Sequence, residues 1–196
     1  MLQFITAKSD KYTITEEVQM AIEGGCQWIQ VSDSLPEGIS MKETLSELQP
    51  LCEENGVFLM AESDAKLAQE MRIHGVHLKK NDMKPAEARE LLGPHAVIGV
   101  DVDSAADILA LKGLDIDYAV IDTDKGASIT DIEQVISEVR EQKFDIHIVV
   151  KSSAIDKSRL QQLKQTGVSG FALSEQIIDA PDPVSATAEI LATLGL

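Results

Sequence analysis

Short runs of apolar residues alternate with longer amphipathic segments along the whole chain. The runs are four or five residues long, which is the length of buried strands, and the intervening segments carry apolar side chains with helical periodicity. This alternation is typical of repeated strand–helix units around a parallel sheet. The predicted strands are Leu2–Thr6, Trp28–Val31, Val57–Met60, Gly75–Leu78, Val97–Val100, Tyr118–Ile121, Ile146–Val150 and Gly170–Leu173.

Two of the predicted helices show the pattern clearly. The segment 41–54 places Leu45, Leu48 and Leu51 on one face, and the segment 129–141 does the same with four aliphatic residues. Several dipeptides mark where helices begin and end, namely Asp182-Pro183, Asn55-Gly56 and Thr166-Gly167.

Eight consecutive units without a change of rhythm favour a closed barrel, so we predict an α/β fold of the TIM (β/α)8 class. An open doubly wound sheet is the alternative. With no linker or low-complexity tract along the chain, we expect residues 1–196 to form a single domain.

Charge restricts the partners of this protein. Lys and Arg number 17 and Asp and Glu number 33, which gives a net charge of −16. Such a charge repels nucleic acid and anionic membrane surfaces, so we expect neither as a partner. The chain has only two cysteines, Cys26 and Cys52, without the spacing of a metal site or a disulfide framework. We therefore expect a cytoplasmic protein.

Several segments are similar to one known family. The segment 21–30 (AIEGGCQWIQ) resembles the approach to the second strand in thiamin phosphate synthases. The segments 75–78 (GVHL), 88–93 (ARELLG) and 97–100 (VIGV) resemble the central block of that family, and 166–174 (TGVSGFALS) with 180–183 (APDP) resembles its end. Because the matches are colinear and span nearly the whole chain, the chain is identified as a member of this family, which includes the related thiazole tautomerases.

The resemblance implies a reaction and a cofactor. Members of the family join hydroxymethylpyrimidine pyrophosphate to hydroxyethylthiazole phosphate, using Mg²⁺, and release pyrophosphate. A site for this chemistry must neutralise the departing pyrophosphate with cations, metal and backbone donors. The partner implied is therefore a small phosphorylated metabolite. A homodimer is left open.

The residues that follow the second and third strands depart from the family pattern. Where the family has two pyrophosphate-binding cations after its conserved Gln, this chain has Ser32-Asp33-Ser34 after Gln30 and Val31. The family's Asn-Asp-Arg becomes Glu62-Ser63-Asp64, which removes one metal ligand and one further cation. Asp82 is what the resemblance leaves of the metal pair. Its alternative role is that of a solvated partner of Lys79 and Lys80.

The later strands also differ from the family. Asp101 and Asp103 stand where the resemblance places a Ser and a His, and the Gly-Gly pair that approaches the thiazole phosphate becomes Ser152-Ser153, next to Lys151. Lys125 lies in the short loop after strand six, where the family has a longer loop with a lysine. The candidate substrate-binding residues are Gln30, Lys80, Lys125, Lys151, Ser152, Ser153 and Ser174.

Each candidate has a structural alternative. Gln30 either orients a pyrimidine or satisfies backbone groups, and Lys151 binds an anion, forms a Schiff base or pairs with Glu175 or Asp122. The carboxylates of Glu62, Asp101, Asp103, Asp122 and Asp124 either gather around a cation or are exposed surface charge. His77 is expected to fill the barrel interior.

Three hypotheses about function follow. The first is a thiamin phosphate synthase with altered site residues, and its loss of cations predicts weak or no synthase activity. The second is a barrel that binds a metabolite without catalysis or regulates a true synthase. The third is an enzyme of different chemistry on the same scaffold.

Overall fold

Eight parallel strands close into a barrel in the order in which they occur along the chain. The computed structural model describes all residues from 1 to 196. Strand β1 pairs with both β2 and β8, so the sheet has no free edge and the open-sheet alternative is wrong. The strands are β1 Leu2–Ile5, β2 Trp28–Val31, β3 Phe58–Glu62, β4 Gly75–Leu78, β5 Val97–Val102, β6 Tyr118–Asp122, β7 His147–Ser152 and β8 Gly170–Leu173.

Helices follow the strands and cover the outside of the barrel. They are α1 Ile14–Glu23, α2 Met41–Asn55, α3 Ala65–Met71, α4 Pro85–Leu92, α5 Ala105–Ala110, α6 Ile129–Glu141, α7 Lys157–Gln165, α8 Glu175–Ile178 and α9 Pro183–Leu194, with a short 3₁₀ turn at Thr123–Lys125. No helix is both long enough and apolar enough to cross a membrane.

The predicted elements agree closely with the structure. Strands β2, β4 and β8 and helix α6 have the predicted bounds, and Asp182 caps α9 with Pro183 at its first position. Strands β3, β5 and β7 each continue two residues beyond the predicted end. They do so because backbone pairing extends past the last apolar residue into the polar mouth of the barrel, where the sequence pattern for a strand has already ended.

Alternation of side chains along each strand produces two apolar layers. Forty-three buried residues form the layer between the barrel wall and the helices. A smaller cluster fills the barrel interior and consists of Ile5, Met60, Tyr118, Val120, Val149 and Ala172. Gly99 makes room for the largest of these, since a Cβ at Gly99 would lie 2.1 Å from Cζ of Tyr118. The interior is therefore packed up to the polar mouth.

Candidate functional site at the mouth of the barrel

The carboxyl ends of the strands bring the predicted site residues to one end of the barrel. In this fold that end is where loops carry chemistry. Paired positions in adjacent strands, such as Glu62 with His77 and Asp122 with Lys151, fix the relative height of these side chains. We call this end the mouth, and it has two sides: the ends of β2–β4, and the ends of β6–β8 with β1.

A chain of buried amides leads from the interior to the mouth. The Gln3 amide nitrogen donates to Oε1 of Gln30 at 2.9 Å and to the Tyr118 hydroxyl at 3.2 Å. The Gln30 amide nitrogen in turn donates to Oε1 of Glu62 at 3.1 Å. Gln30 is 1% exposed. Its polar atoms therefore already have partners, and in this structure Gln30 positions Glu62.

Glu62 is the centre of the β2–β4 side and is only 3% exposed. Its Oε2 accepts hydrogen bonds from the Ser32 hydroxyl at 3.1 Å and from the Asp33 backbone N–H at 3.0 Å. The Lys79 ammonium lies 3.2 Å from the same oxygen and 2.6 Å from Oδ1 of Asp33. One cation is thus shared by two carboxylates.

These contacts explain the protonation of Asp33 and Lys79. Burial works to raise the pKa of Asp33, but the hydrogen bonds from Lys79 and Ser63 together with the Lys79 charge outweigh it and hold that pKa below its usual value. Burial likewise works to lower the pKa of Lys79, and the hydrogen bond to Asp33 and the Glu62 charge raise it instead. Lys79 therefore stays protonated, and the carboxylates of Asp33 and Glu62 balance its charge.

The second lysine after β4 is also neutralised. Lys80 lies 2.5 Å from Oδ2 of Asp103 and 3.4 Å from Oδ2 of Asp107, and Lys125 lies 3.4 Å from Oδ1 of Asp103. Both lysines are predicted substrate-binding residues, and both hold Asp103 in this structure. They join the loops that follow β4, β5 and β6.

Asp82 does not pair with the neighbouring lysines, so that expectation is wrong. Its Oδ2 accepts the Lys79 backbone N–H at 2.6 Å, and its own N–H donates to the Lys79 carbonyl at 3.1 Å. The Asp82 carboxylate is thus hydrogen-bonded to the backbone of the turn after β4. The ammonium groups of Lys79 and Lys80 contact carboxylates of other loops instead. Asp82 therefore closes a turn.

The mouth does not fit a bound Mg²⁺. Ser63 occupies the position of the second implied ligand, and its hydroxyl donates to Asp33 at 3.0 Å. The nearby carboxylates are already paired with lysines, and nowhere do three acidic, imidazole or thiol groups gather in a metal-binding arrangement. Of the two alternatives for the mouth carboxylates, a gathering around one cation is therefore contradicted. A hard divalent cation needs free oxygen ligands, which this arrangement does not offer.

His77 and Asp101 form a buried pair between the two sides of the mouth. His77 Nε2 lies 2.9 Å from Oδ1 of Asp101, and the imidazole is 2% exposed, as expected for a residue of the interior. Burial works to raise the pKa of Asp101, but the His77 hydrogen bond and the charges of Lys151 and Lys125 hold it below its usual value. The carboxylate is thus ionised and fixed.

On the other side of the mouth, Asp124 accepts hydrogen bonds from two residues at the end of β7. Its Oδ1 accepts the Ser152 hydroxyl at 3.1 Å, and its Oδ2 accepts the Ser153 backbone N–H at 2.7 Å. Asp124 itself is fixed by the 3₁₀ turn, in which its N–H donates to Asp122 at 2.9 Å. The Ser152 hydroxyl, which was predicted to face a ligand, therefore binds an internal carboxylate, as does the Ser153 backbone N–H.

A pocket of about 370 Å³ opens on this side of the mouth. Lys151 and Ser174 line it, and the predicted ion pair of Lys151 with Glu175 or Asp122 is not formed. We call this the β7–β1 pocket, and its lining is Ile5, Thr6, Ala7, Lys8, Ser32, Ser34, Asp122, Asp124, Lys151, Ser152, Ser153, Ala172, Ser174 and Glu175.

The sequence reasoning missed two contributors to this pocket. Lys8 follows β1 and lines the same pocket as Lys151, and Thr6 accepts the Ser32 backbone N–H at 3.0 Å. The available signal was a polar residue directly after β1 and a lysine two residues further on, at a strand end of the kind that identified Lys151. The segments that resemble the family begin at residue 21, so the resemblance does not point to the first strand.

Comparison with known proteins shows one family and one fold for this chain. The sequence matches the family described as thiamine monophosphate synthase over residues 2–177. It is 32% identical over 200 residues to the thiamine-phosphate synthase of Bacteroides thetaiotaomicron, covering 97% of this chain and 95% of that protein. It is also 32% identical to the enzyme of the same name from Bacteroides fragilis, with 97% and 98% covered.

Solved structures show the same fold. The thiamine phosphate pyrophosphorylase from Pyrococcus furiosus superposes with a TM-score of 0.84 at 25% identity, covering 99% of this chain and 95% of that one. The orotidine 5'-phosphate decarboxylase from Pyrococcus horikoshii superposes with a TM-score of 0.73 at 14% identity, covering 99% and 100%. The second likeness concerns the barrel fold alone.

Proposed function

This chain belongs to the thiamine monophosphate synthase family, and from the residues at its mouth we propose that it is a diverged member with little or no synthase activity. In this proposal it binds a small phosphorylated metabolite in the β7–β1 pocket. Its relatives bear the name of an enzyme that forms thiamine phosphate. The difference is proposed to lie in the mouth residues, since the barrel itself is preserved.

One observation carries the proposal: the lysines on the β2–β4 side are already neutralised by carboxylates of the same chain. Lys79 contacts Asp33 and Glu62, and Lys80 contacts Asp103 and Asp107. In the family resemblance this side of the mouth supplies cations to the departing pyrophosphate. A pyrophosphate arriving here would meet at least four carboxylates around two lysines.

The electrostatic consequence can be given a magnitude. Charge-stabilising groups at a developing anion each contribute about 3 to 4 kcal/mol to the transition state. Losing one such contribution slows the reaction by roughly a hundredfold to a thousandfold, and losing two slows it by more than about ten thousandfold, since about 1.4 kcal/mol corresponds to a factor of ten. The proposed reduction in turnover is therefore large.

The β7–β1 pocket is the better place for a phosphate. Lys8 and Lys151 line it without forming ion pairs, and the Ser174 hydroxyl does not cap the following helix. Lysine binds phosphate as a point charge, so side chains would replace the glycine backbone cradle of the family. Asp122, Asp124 and Glu175 line the same pocket and limit the charge it accepts. A ligand with a single phosphate suits it best.

We also propose a cytoplasmic location. Both cysteines are free and buried, as is common for proteins of reducing compartments. The metabolic family supports the same compartment. Mg²⁺ has no place in the proposal, because the mouth carboxylates are paired with lysines and backbone donors.

Turnover is the first test. Purified protein with saturating pyrimidine and thiazole substrates and Mg²⁺ is expected to form thiamin phosphate at least a thousandfold more slowly than the Bacteroides thetaiotaomicron relative measured in parallel. Comparable rates would disprove the proposal. The triple variant Ser32→Arg, Glu62→Asn, Ser63→Asp restores the family residues and is expected to recover part of the rate.

Binding of inorganic phosphate is the second test. Calorimetry at two salt concentrations should show weaker binding in Lys151→Ala, together with a smaller dependence on salt, since the ammonium acts through its charge. Lys112→Ala is the matched control, because Lys112 lies outside the pocket and contacts the Gln142 carbonyl. Equal affinities in wild type and Lys151→Ala would remove this pocket from the proposal.

A further inference from the structure

Four donors converge on a single buried carboxylate at the mouth, and none of them belongs to a helix. The Gln30 amide, the Ser32 hydroxyl, the Asp33 backbone N–H and the Lys79 ammonium all lie within 3.2 Å of an oxygen of Glu62. They come from β2, from the loop after it and from the end of β4. A cation, a backbone amide and two neutral donors are the groups from which anion-binding sites are built.

We propose that this cluster is an anion site for a small carboxylate, and that the Glu62 side chain is its permanent internal ligand. The donors are fixed independently of Glu62. Ser32 is held by its backbone N–H bond to Thr6 and Lys79 by Asp33, while Gln30 is held by Gln3. Truncating Glu62 therefore leaves a preorganised cluster of donors, with room for a free carboxylate of the size removed.

Occupancy by Glu62 also explains the arrangement of its neighbours. Oε2 of Glu62 is contacted by three donor groups, one of which is charged. The cluster therefore satisfies this carboxylate about as fully as a binding site satisfies a bound anion. A buried carboxylate without such partners is strongly unfavourable, because it has lost its hydration without gaining hydrogen bonds. Glu17 offers the contrast within the same chain, because it is 1% exposed yet accepts only the Ala7 N–H and leaves Oε1 without a partner.

The donor cluster can bind a carboxylate whether or not the protein turns over a substrate. Glu62→Ala removes the carboxylate but leaves Lys79 paired with Asp33 at 2.6 Å, so the variant does not bury an unpaired ammonium. Sodium formate is the probe, with sodium chloride at equal ionic strength as the reference. Formate should raise the melting temperature of Glu62→Ala saturably, by about 3 °C at ten times its dissociation constant.

Two controls identify the site. Glu17→Ala removes a comparably buried carboxylate without leaving a cluster of donors, so formate should stabilise it no more than wild type. Glu62→Gln keeps the site filled and should also be unresponsive. In an NMR titration of Glu62→Ala, the Asp33 amide resonance should shift saturably with formate.

The result that overturns the inference is equally defined. If formate stabilises Glu62→Ala no more than Glu17→Ala, or if the Asp33 amide does not respond, the donors do not form an anion site. Should Glu62→Ala not fold in chloride, refolding from urea provides the readout. Recovery in formate alone supports the site, and failure in both salts overturns it. A synthase assay is not involved, so this outcome is separate from that of the proposed function.

Discussion

Glu17 on α1 is a buried acid whose protonation is coupled to folding. Burial raises its pKa to about 7, against a weaker opposing hydrogen bond from the Ala7 backbone, and the charges of Asp179 and Glu175 add to the rise. The folded state therefore binds this proton more tightly than the unfolded chain, where the pKa is 4.5. Stability from this group is complete below pH 4.5 and is lost as the pH rises through 7.

We expect Glu17→Gln to remove this pH dependence. Relative to the variant, wild type should lose roughly 2 kcal/mol of unfolding free energy between pH 5 and pH 8. Urea unfolding at both pH values measures the difference. Glu90→Gln, which alters an exposed carboxyl, should run parallel to wild type. A constant difference between wild type and Glu17→Gln across this range would show that Glu17 does not titrate there.

At the scale of the elements, helix α6 depends on its first turn. The Ser128 hydroxyl accepts the Asp131 N–H at 3.1 Å, and the Asp131 carboxylate accepts the Ser128 N–H at 2.8 Å. This reciprocal pair satisfies two donors that a helix start leaves free. The apolar face of the helix, with Ile132, Ile136 and Val139 buried, then packs on the barrel.

Ser128→Ala should therefore lower the unfolding free energy by about 1 kcal/mol. Ser137→Ala is the matched control, because Ser137 lies within the same helix and its hydroxyl contacts only Glu141, at 3.3 Å. It should leave stability unchanged or raise it slightly, since alanine is the better helix former. Urea denaturation compares the two, and equal losses would argue against a special role for the cap.

For the molecule as a whole, the dominant electrostatic feature is its net charge of −16. Repulsion among so many like charges destabilises the compact state. At 0.1 M salt, the interactions between exposed charges more than about 10 Å apart are largely screened. Raising sodium chloride from 10 to 300 mM should therefore raise the urea midpoint. A fall in the midpoint would mean that the lysine–carboxylate pairs of the mouth outweigh the repulsion between the remaining charges.

The sequence by itself determined the architecture. Apolar runs of strand length, the leucine stripe of α2 and the cap residues of α9 are local patterns, and each specifies an element without reference to distant residues. Eight such units in series favour a closed barrel over an open sheet, and the pairing of β1 with β8 decides between the two. The carboxyl ends of the strands, and hence the position of the mouth, follow from that arrangement.

Only the tertiary structure decided which polar groups meet at the mouth. Glu62 binds the Ser32 hydroxyl and the Lys79 ammonium, and Asp124 binds the Ser153 backbone N–H. These partners are far apart in the sequence, and no periodic pattern connects them. The lysines after β4 looked like partners of Asp82, yet they reach other loops while the turn backbone takes that carboxylate. Such pairings depend on barrel closure, loop height and side-chain reach. A sequence pattern fixes which groups arrive at the mouth, and the three-dimensional distances between them decide which groups bond.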